Sequence, residues 1–264
     1  MMRDMGGTLS PESATPVQPC SGPALLPPLA NHLPGRHGPI KSPLPPRSLE
    51  TAALVPGFFV TGTNTDVGKT LVSAWLMTHL DAQYWKPIQA GTEPATDAAT
   101  VRRLAELPED RILQEAYVLP DPMAPHEAAR RADVTLDMDK LAPPAHEGLL
   151  VVEGAGGLMV PITDDAYMID LAADLDLPII LVARSTLGTI NHTLLSIEAI
   201  RRRGLPLAGV VISGPEMPHN RAAIERYGQI EVIAEIPWLE TVSRSVLRDI
   251  EPEFDLLKLA TVRP

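Results

Sequence analysis

Residues 57–70, GFFVTGTNTDVGKT, constrain this chain more than any other stretch. Phe58, Phe59 and Val60 make a short β-favouring apolar run that stops at a glycine-bearing loop, and Gly68-Lys69-Thr70 ends that loop before a helix-compatible segment. A loop of this kind turns successive backbone N–H groups toward one concave point. The following helix adds the positive end of its dipole, and a lysine and a hydroxyl stand beside it. Such a site suits nucleotide phosphates and a magnesium ion. The spacing departs from the common G-x-x-x-x-G-K-[ST] pattern, because five residues separate Gly62 from Gly68 where that pattern has four. The alternative is a glycine turn into an ordinary helix, which the GKT ending after an apolar strand disfavours.

The rest of the chain alternates in a way that extends this start. Apolar residues at helical spacing predict a helix over 71–80, and residues 84–88 read as a short second strand ended by Pro87. Asp97 opens a helical segment, DAATVRRLAEL, and the proline-broken residues 108–125 read as a long loop. Residues 148–153, GLLVVE, have the continuous apolar character of a strand covered on both faces, with Glu153 at its carboxyl end. Then follow a helix over 168–175, a strand over 178–183, a helix over 188–203, a strand over 207–212, a helix over 221–227 and a strand over 231–236. One or two helices come after Thr241. Five or six strands alternating with helices predict a single α/β domain, doubly wound and mostly parallel, with helices on both faces. In such a sheet ligands bind beyond the carboxyl ends of the strands. The loops at 62–70, 86–91, 153–157, 185–191, 213–215 and 237–239 therefore gather at one edge.

Composition separates a tail from this domain. Of 28 prolines, 12 precede Gly57, and the first 56 residues show no hydrophobic period, so they read as a disordered extension. They contain no apolar core of a secretory signal. Runs such as PIILVA are too short to cross a bilayer, which predicts a soluble protein away from membranes. The single cysteine, Cys20, lies in the tail, so the domain holds no disulfide, thiol nucleophile or cysteine zinc site, as suits the cytoplasm. A net charge of −11 argues against nucleic acid as a partner. The basic run Arg201-Arg202-Arg203 sits where a helix would end before Gly204, placed to complement the helix dipole.

Lys69 is placed to reach β- and γ-phosphates, and Thr70 to direct its hydroxyl to magnesium. Glu153, ending an apolar strand, is costly to bury without a cation, and Asp97 starts a helix near the second strand's loop; both are candidate magnesium ligands. The alternatives are a helix-capping or salt-bridged carboxylate for Glu153 and a plain N-cap for Asp97. Lys86, between two aromatic residues and a proline, aims a second ammonium at the phosphates, where two cations would stabilise a transferring phosphoryl group. Two motif matches fail. Met159 stands where G-x-G-x-x-G needs its third glycine, and Arg130 replaces the second histidine of H-E-x-x-H after His126-Glu127. The glycosylation-like run Asn191-His192-Thr193 is read as chance.

GTNTDVGKT, WKPIQAG, the Asp97 segment, VEGAGG, LGTINH and EIPWL occur in the order and at spacings that resemble the dethiobiotin synthetases, ATP-dependent cyclo-ligases of biotin synthesis with a P-loop NTPase-like fold. The lengthened phosphate loop is itself typical of that family. The resemblance implies ATP and Mg2+, with 7,8-diaminononanoate and CO2 as substrates and a carbamate activated by the γ-phosphate before ring closure. It implies catalytic roles for Lys69, Lys86 and Thr65. It implies magnesium ligation by Thr70, Asp97 and Glu153, and nucleotide contacts from Asp66, Val67, Gly68, Lys69, Thr70, Leu71, Gly154, Ala155, Gly156, Ser213, Gly214, Pro237, Trp238 and Leu239. Substrate contacts would come from Thr65, Ala90, Gly188, Thr189, Ile190 and Asn191, the last four as a helix start receiving the substrate carboxylate across a homodimer interface.

Two positions depart from the family pattern. Ala90 replaces a hydroxyl residue that contacts substrate, which leaves backbone or a neighbour such as Gln89 to do so. Ser213 stands where an adenine-reading asparagine is common, and a hydroxyl makes fewer simultaneous hydrogen bonds than an amide. Two rivals share the fold. A corrinoid-type amide synthetase would append a glutaminase domain with a catalytic cysteine, and a partner-regulated positioning ATPase would carry an extra lysine early in the loop, where this chain has Thr63 and Asn64.

Overall fold

The computed structural model describes residues 56–263. The tail reading of residues 1–55 lies outside the described residues. In chain order the elements are β1 (Gly57–Gly62), α1 (Lys69–His79), β2 (Ala82–Trp85), β3 (Ile88–Ala90), α2 (Asp97–Leu104), β4 (Ile112–Leu113), β5 (Tyr117–Leu119), α3 (Pro125–Arg131) and β6 (Leu149–Gly157). They continue with α4 (Met168–Leu175), β7 (Ile179–Arg184), α5 (Thr189–Arg202), β8 (Leu207–Ser213), α6 (Pro218–Gly228), β9 (Val232–Ile236), α7 (Arg244–Arg248) and α8 (Leu256–Leu259).

Seven strands form one parallel sheet in the order β4-β2-β6-β1-β7-β8-β9. The strands alternate between two apolar layers, as a sheet covered on both faces requires. Phe58, Val60, Tyr84, Val151, Ile180 and Val182 pack with α1 in one layer. Phe59, Trp85, Val152, Ile179 and Leu181 pack on the opposite face with residues of α4, α5 and α6. Each such fully buried side chain contributes about 1.5–3 kcal/mol relative to exposure.

The order places a crevice at the centre. β1 connects to β2, on the far side of β6, while β6 connects to β7, on the far side of β1. The loops leaving these two adjacent strands therefore diverge, which is where a doubly wound sheet opens a binding cleft.

Three expectations need correction. Residues 84–88 are two strands, because the chain leaves the main sheet at Lys86-Pro87 and β3 pairs instead with β5 in a separate two-stranded sheet. Pro87 cannot donate to a ladder, but its carbonyl accepts from the amides of Ala116 and Tyr117. The expected long loop contains β4, β5 and the start of α3, elements of two to seven residues that are too short to show a period. Finally, β6 does not end at Glu153 but runs on to Gly157, opposite Gly62.

Candidate active site

α1 starts at the end of the phosphate loop without any side-chain cap. Gly68 holds the N-cap in the left-handed region, φ 98°, and a Cβ there would lie 2.8 Å from Ser213 Oγ. Glycine is needed at this point on both counts. The free N–H groups of the first turn thus face the crevice beside Ser213, at the end of β8. Val67 is buried in the core and Leu71 packs against it, so these two can offer only their backbone.

Glu153 is buried within β6 and its carboxylate is the hub of the site. Oε1 lies 3.0 Å from Thr70 Oγ1 and 3.0 Å from Lys86 Nζ; Oε2 accepts from Ser73 Oγ at 2.8 Å and from the Tyr84 hydroxyl at 2.9 Å. Thr70 and Ser73 are three apart on α1, one turn, so the helix presents one hydroxyl to each oxygen. Burial pushes the Tyr84 phenol well above its usual pKa, and the Glu153 charge adds to this.

Asp97 completes the cluster from the first turn of α2. Its Oδ1 accepts from Thr70 Oγ1 at 2.9 Å and its Oδ2 lies 2.7 Å from Lys86 Nζ. The plain N-cap alternative fails, because Thr96 Oγ1 caps this helix by accepting from the Ala99 amide. Burial opposes the charge on Asp97, yet Lys86 holds its carboxyl below the usual range. Burial likewise opposes the charge on Lys86, which Glu153 and then Asp97 overcome, leaving its pKa raised. Lys69, whose Nζ reaches the Asn64 carbonyl at 3.4 Å, is shifted the other way: burial, then the nearby Lys86, lowers it.

Lys69, Thr70, Lys86, Asp97 and Glu153 line a cavity of about 540 Å³ together with Thr65, Asp66, Ala90, Ala155 and Gly156. Gly156, at φ 67°, brings the β6 loop beside Thr65, whose hydroxyl would sit 3.6 Å from a Cβ there. Lys86 also donates to the Gly154 carbonyl at 3.1 Å. Among the described residues no three His, Cys, Asp or Glu side chains gather as a metal cluster. The converging donors are two carboxylates and a hydroxyl, an oxygen set that fits a hard cation retaining several waters.

Other predicted residues stand apart from this core. Pro237 and Trp238 are exposed after β9, Trp238 at 82%, and the Leu239 side chain packs toward the α1 layer. Gly214 lies against Ser185. Gly188 caps α5 in the left-handed region with no side-chain cap; Asn191 is exposed, Ile190 half-buried, and Thr189 buried beside Thr193. The burial of Thr193 in a helix agrees with reading the glycosylation-like run as chance. Gln89 lines the cavity beside Ala90; its side-chain amide donates to the Gly91 carbonyl at 2.6 Å and accepts from the Asp97 backbone amide at 3.0 Å, bonds that use one of its two N–H groups and one of its two oxygen lone pairs.

Three side chains were missed by sequence reasoning. Tyr84 and Ser73 read as core in apolar segments. Arg184, at the end of β7, donates two hydrogen bonds to the Asp66 carbonyl, at 3.0 and 2.7 Å, and Asp66 holds φ 56°. Only the position of Arg184 at a strand's carboxyl end could have signalled this.

The family model described as an AAA domain matches residues 56–246. The chain is 55% identical over 196 residues to the ATP-dependent dethiobiotin synthetase BioD of Paramagnetospirillum magneticum, covering 74% of this chain and 95% of that protein. It is 50% identical over 190 residues to the ATP-dependent dethiobiotin synthetase BioD of Afipia carboxidovorans, covering 72% and 90%. It is also 54% identical over 187 residues to the biotin biosynthesis bifunctional protein BioCD of Bordetella avium, covering 70% of this chain and 40% of that one. With phosphate loop, paired lysines and carboxylates in one crevice, and two dethiobiotin synthetases matched over 95% and 90% of their length, the chain belongs to the ATP-dependent dethiobiotin synthetase family.

Proposed function

We propose that this chain carboxylates 7,8-diaminononanoate and closes it to dethiobiotin at the expense of ATP. The observation that carries the reading is the convergence of Thr70, Asp97, Glu153 and Lys86 at the mouth of the phosphate loop. One amine of the substrate adds to CO2 and loses a proton, giving a carbamate. A carbamate oxygen attacks the γ-phosphorus, the bond to the β-phosphate oxygen breaks, and ADP leaves. The second amine then attacks the activated carbon, the C–O bond to phosphate breaks, and the cyclic urea forms with release of phosphate and a proton.

The side chains supply charge and position. Lys69 and Lys86 stabilise carbamate and transferring phosphoryl group, Thr65 meets the reacting centre, and the first-turn amides of α1 hold the phosphates. Ring closure depends on holding an amine close, a matter of positioning more than of proton transfer. Magnesium, held by Thr70, Asp97 and Glu153, would neutralise charge on the β- and γ-phosphates. Ser213, Gly214 and residues 237–239 would enclose the base. The catalytic domain comprises residues 57–264, and residues 1–56 are an extension to it.

The active form is a homodimer in which the α5 start of one subunit receives the substrate carboxylate bound by the other. Leu187, at 101% exposure just before that helix, and Leu195, at 62% within it, support this. The reaction, on small water-soluble substrates and ATP, is one for the cytoplasm; among the described residues no helix is long and apolar enough to cross a membrane. The amide-synthetase and positioning-ATPase rivals lose their ground with family membership. Incubation with ATP, the diamine and labelled bicarbonate, followed by mass spectrometry, should give labelled dethiobiotin. ATP turnover without the diamine, or no product with it, sinks the reading.

A further inference from the structure

We infer that Tyr84, with Ser73, sets which divalent cation this site prefers, by restricting Glu153 to a single coordinating oxygen. The inference rests on the proposal that Glu153 ligates magnesium. An ionised carboxylate oxygen has two lone pairs. Both lone pairs of Glu153 Oε2 are used, one by Ser73 Oγ at 2.8 Å and one by the Tyr84 hydroxyl at 2.9 Å. Ser73 and Tyr84 are wholly buried, on α1 and β2, and so have no alternative in water. Oε1 is the oxygen turned toward Thr70 and Lys86; the single Thr70 proton goes to Asp97 Oδ1 at 2.9 Å, so only Lys86 donates to Oε1 and one of its lone pairs stays open to a cation.

A carboxylate pinned in this way offers one oxygen and cannot bind bidentately. Magnesium accepts that arrangement, because it is small, octahedral and keeps several waters; calcium takes six to eight oxygens and commonly uses both of a carboxylate. Tyr84 therefore acts through Glu153 as a positioning residue that discriminates against calcium, without itself touching cation or nucleotide. Residues that orient a ligating group typically change metal affinity by about 10–100-fold when removed. Tyr84→Phe deletes one hydroxyl, and Oε2 keeps its bond from Ser73.

The test uses the full chain without nucleotide. Bound Mn2+ is followed by its paramagnetic resonance signal and displaced with Mg2+ or Ca2+ alone. Tyr84→Phe should raise the ratio of Ca2+ to Mg2+ affinity about tenfold, and Ser73→Ala should move it in the same direction. An unchanged ratio in both variants, with Glu153→Gln still weakening Mn2+, overturns the inference and leaves the cation role of Glu153 standing. Mn2+ affinity indifferent to Glu153→Gln, or no Mn2+ uptake by the unmodified chain, overturns the cation reading and the inference with it. Should Tyr84→Phe not fold, Ser73→Ala alone decides.

Discussion

Lys86 Nζ lies 2.7 Å from Asp97 Oδ2, so the end of β2 is tied to the start of α2 across the mouth of the crevice. The same ammonium reaches Glu153 Oε1 at 3.0 Å, which makes it a shared counter-charge for two carboxylates on different elements. Such an ammonium is held where negative charge would develop, and it is held by the fold before any substrate arrives.

Lys86→Met keeps the length and apolar stem but removes the charge. Turnover should fall by about 10²–10³-fold, the range expected on loss of one preorganised electrostatic group. Because Glu153 is left buried without its cation, unfolding free energy should also drop by about 3–5 kcal/mol. Steady-state kinetics and denaturant titration measure the two effects separately, and full activity in this variant would refute the catalytic role.

Arg184→Ala releases the Asp66 carbonyl in the lengthened part of the phosphate loop. A charge-assisted bond contributes about 1.5–3 kcal/mol when sheltered, and Arg184 is exposed, so about 1 kcal/mol is a fair expectation. That corresponds to a KM for ATP raised about fivefold at little change in melting temperature. An unaltered KM would show that the clamp does not order the loop for nucleotide.

Glu253 gives the molecule an acid-sensitive tie. It accepts from Arg221 at 2.7 Å on each oxygen, while the same guanidinium holds Glu225 and Glu235. The hydrogen bonds from Arg221 keep the Glu253 carboxyl below the usual range, against partial burial. A depressed folded pKa stabilises above the unfolded value, about 4.3 for glutamate, and the gain is lost as pH falls through the folded pKa. Glu253→Gln should therefore flatten the acid limb of melting temperature against pH, measured from about pH 6 to 3. An acid limb as steep as in the unmodified chain would assign the effect elsewhere.

The domain reading predicts that a chain starting at Pro56 keeps both cooperative unfolding and turnover within about twofold. β1 starts at Gly57, whose amide already bonds to the Ala260 carbonyl at 3.2 Å. Loss of soluble protein on this truncation would place residues 1–55 in the fold.

Much of the site was legible because its parts are local. The phosphate loop is one continuous stretch, and an acidic residue inside an apolar strand advertises a partner, so Lys69, Thr70, Lys86, Asp97 and Glu153 could be brought to one crevice by the sheet rule alone. Tyr84 and Ser73 could not. A tyrosine in β2 and a serine in α1 look like ordinary core, and only the alternation of β2 across the sheet reveals that Tyr84 shares a face with Glu153. The fold was legible where an apolar run leads into a helical period, as β1 does into α1. β4 and β5, of two and three residues, carry no period, and the split at Lys86-Pro87 depends on β5 being present to pair with β3.

The placement of β6 between β1 and β2 has a consequence on the ribosome. Thr70 meets Glu153 across 83 positions of sequence. At about 5–20 residues per second, roughly 4–17 s of synthesis separate the two. Throughout that interval the emerging phosphate loop lacks the strand that carries its carboxylate, so nucleotide has no completed crevice with which to stabilise the nascent chain. ATP can act as a folding ligand only after β6 has left the exit tunnel and inserted between strands already made.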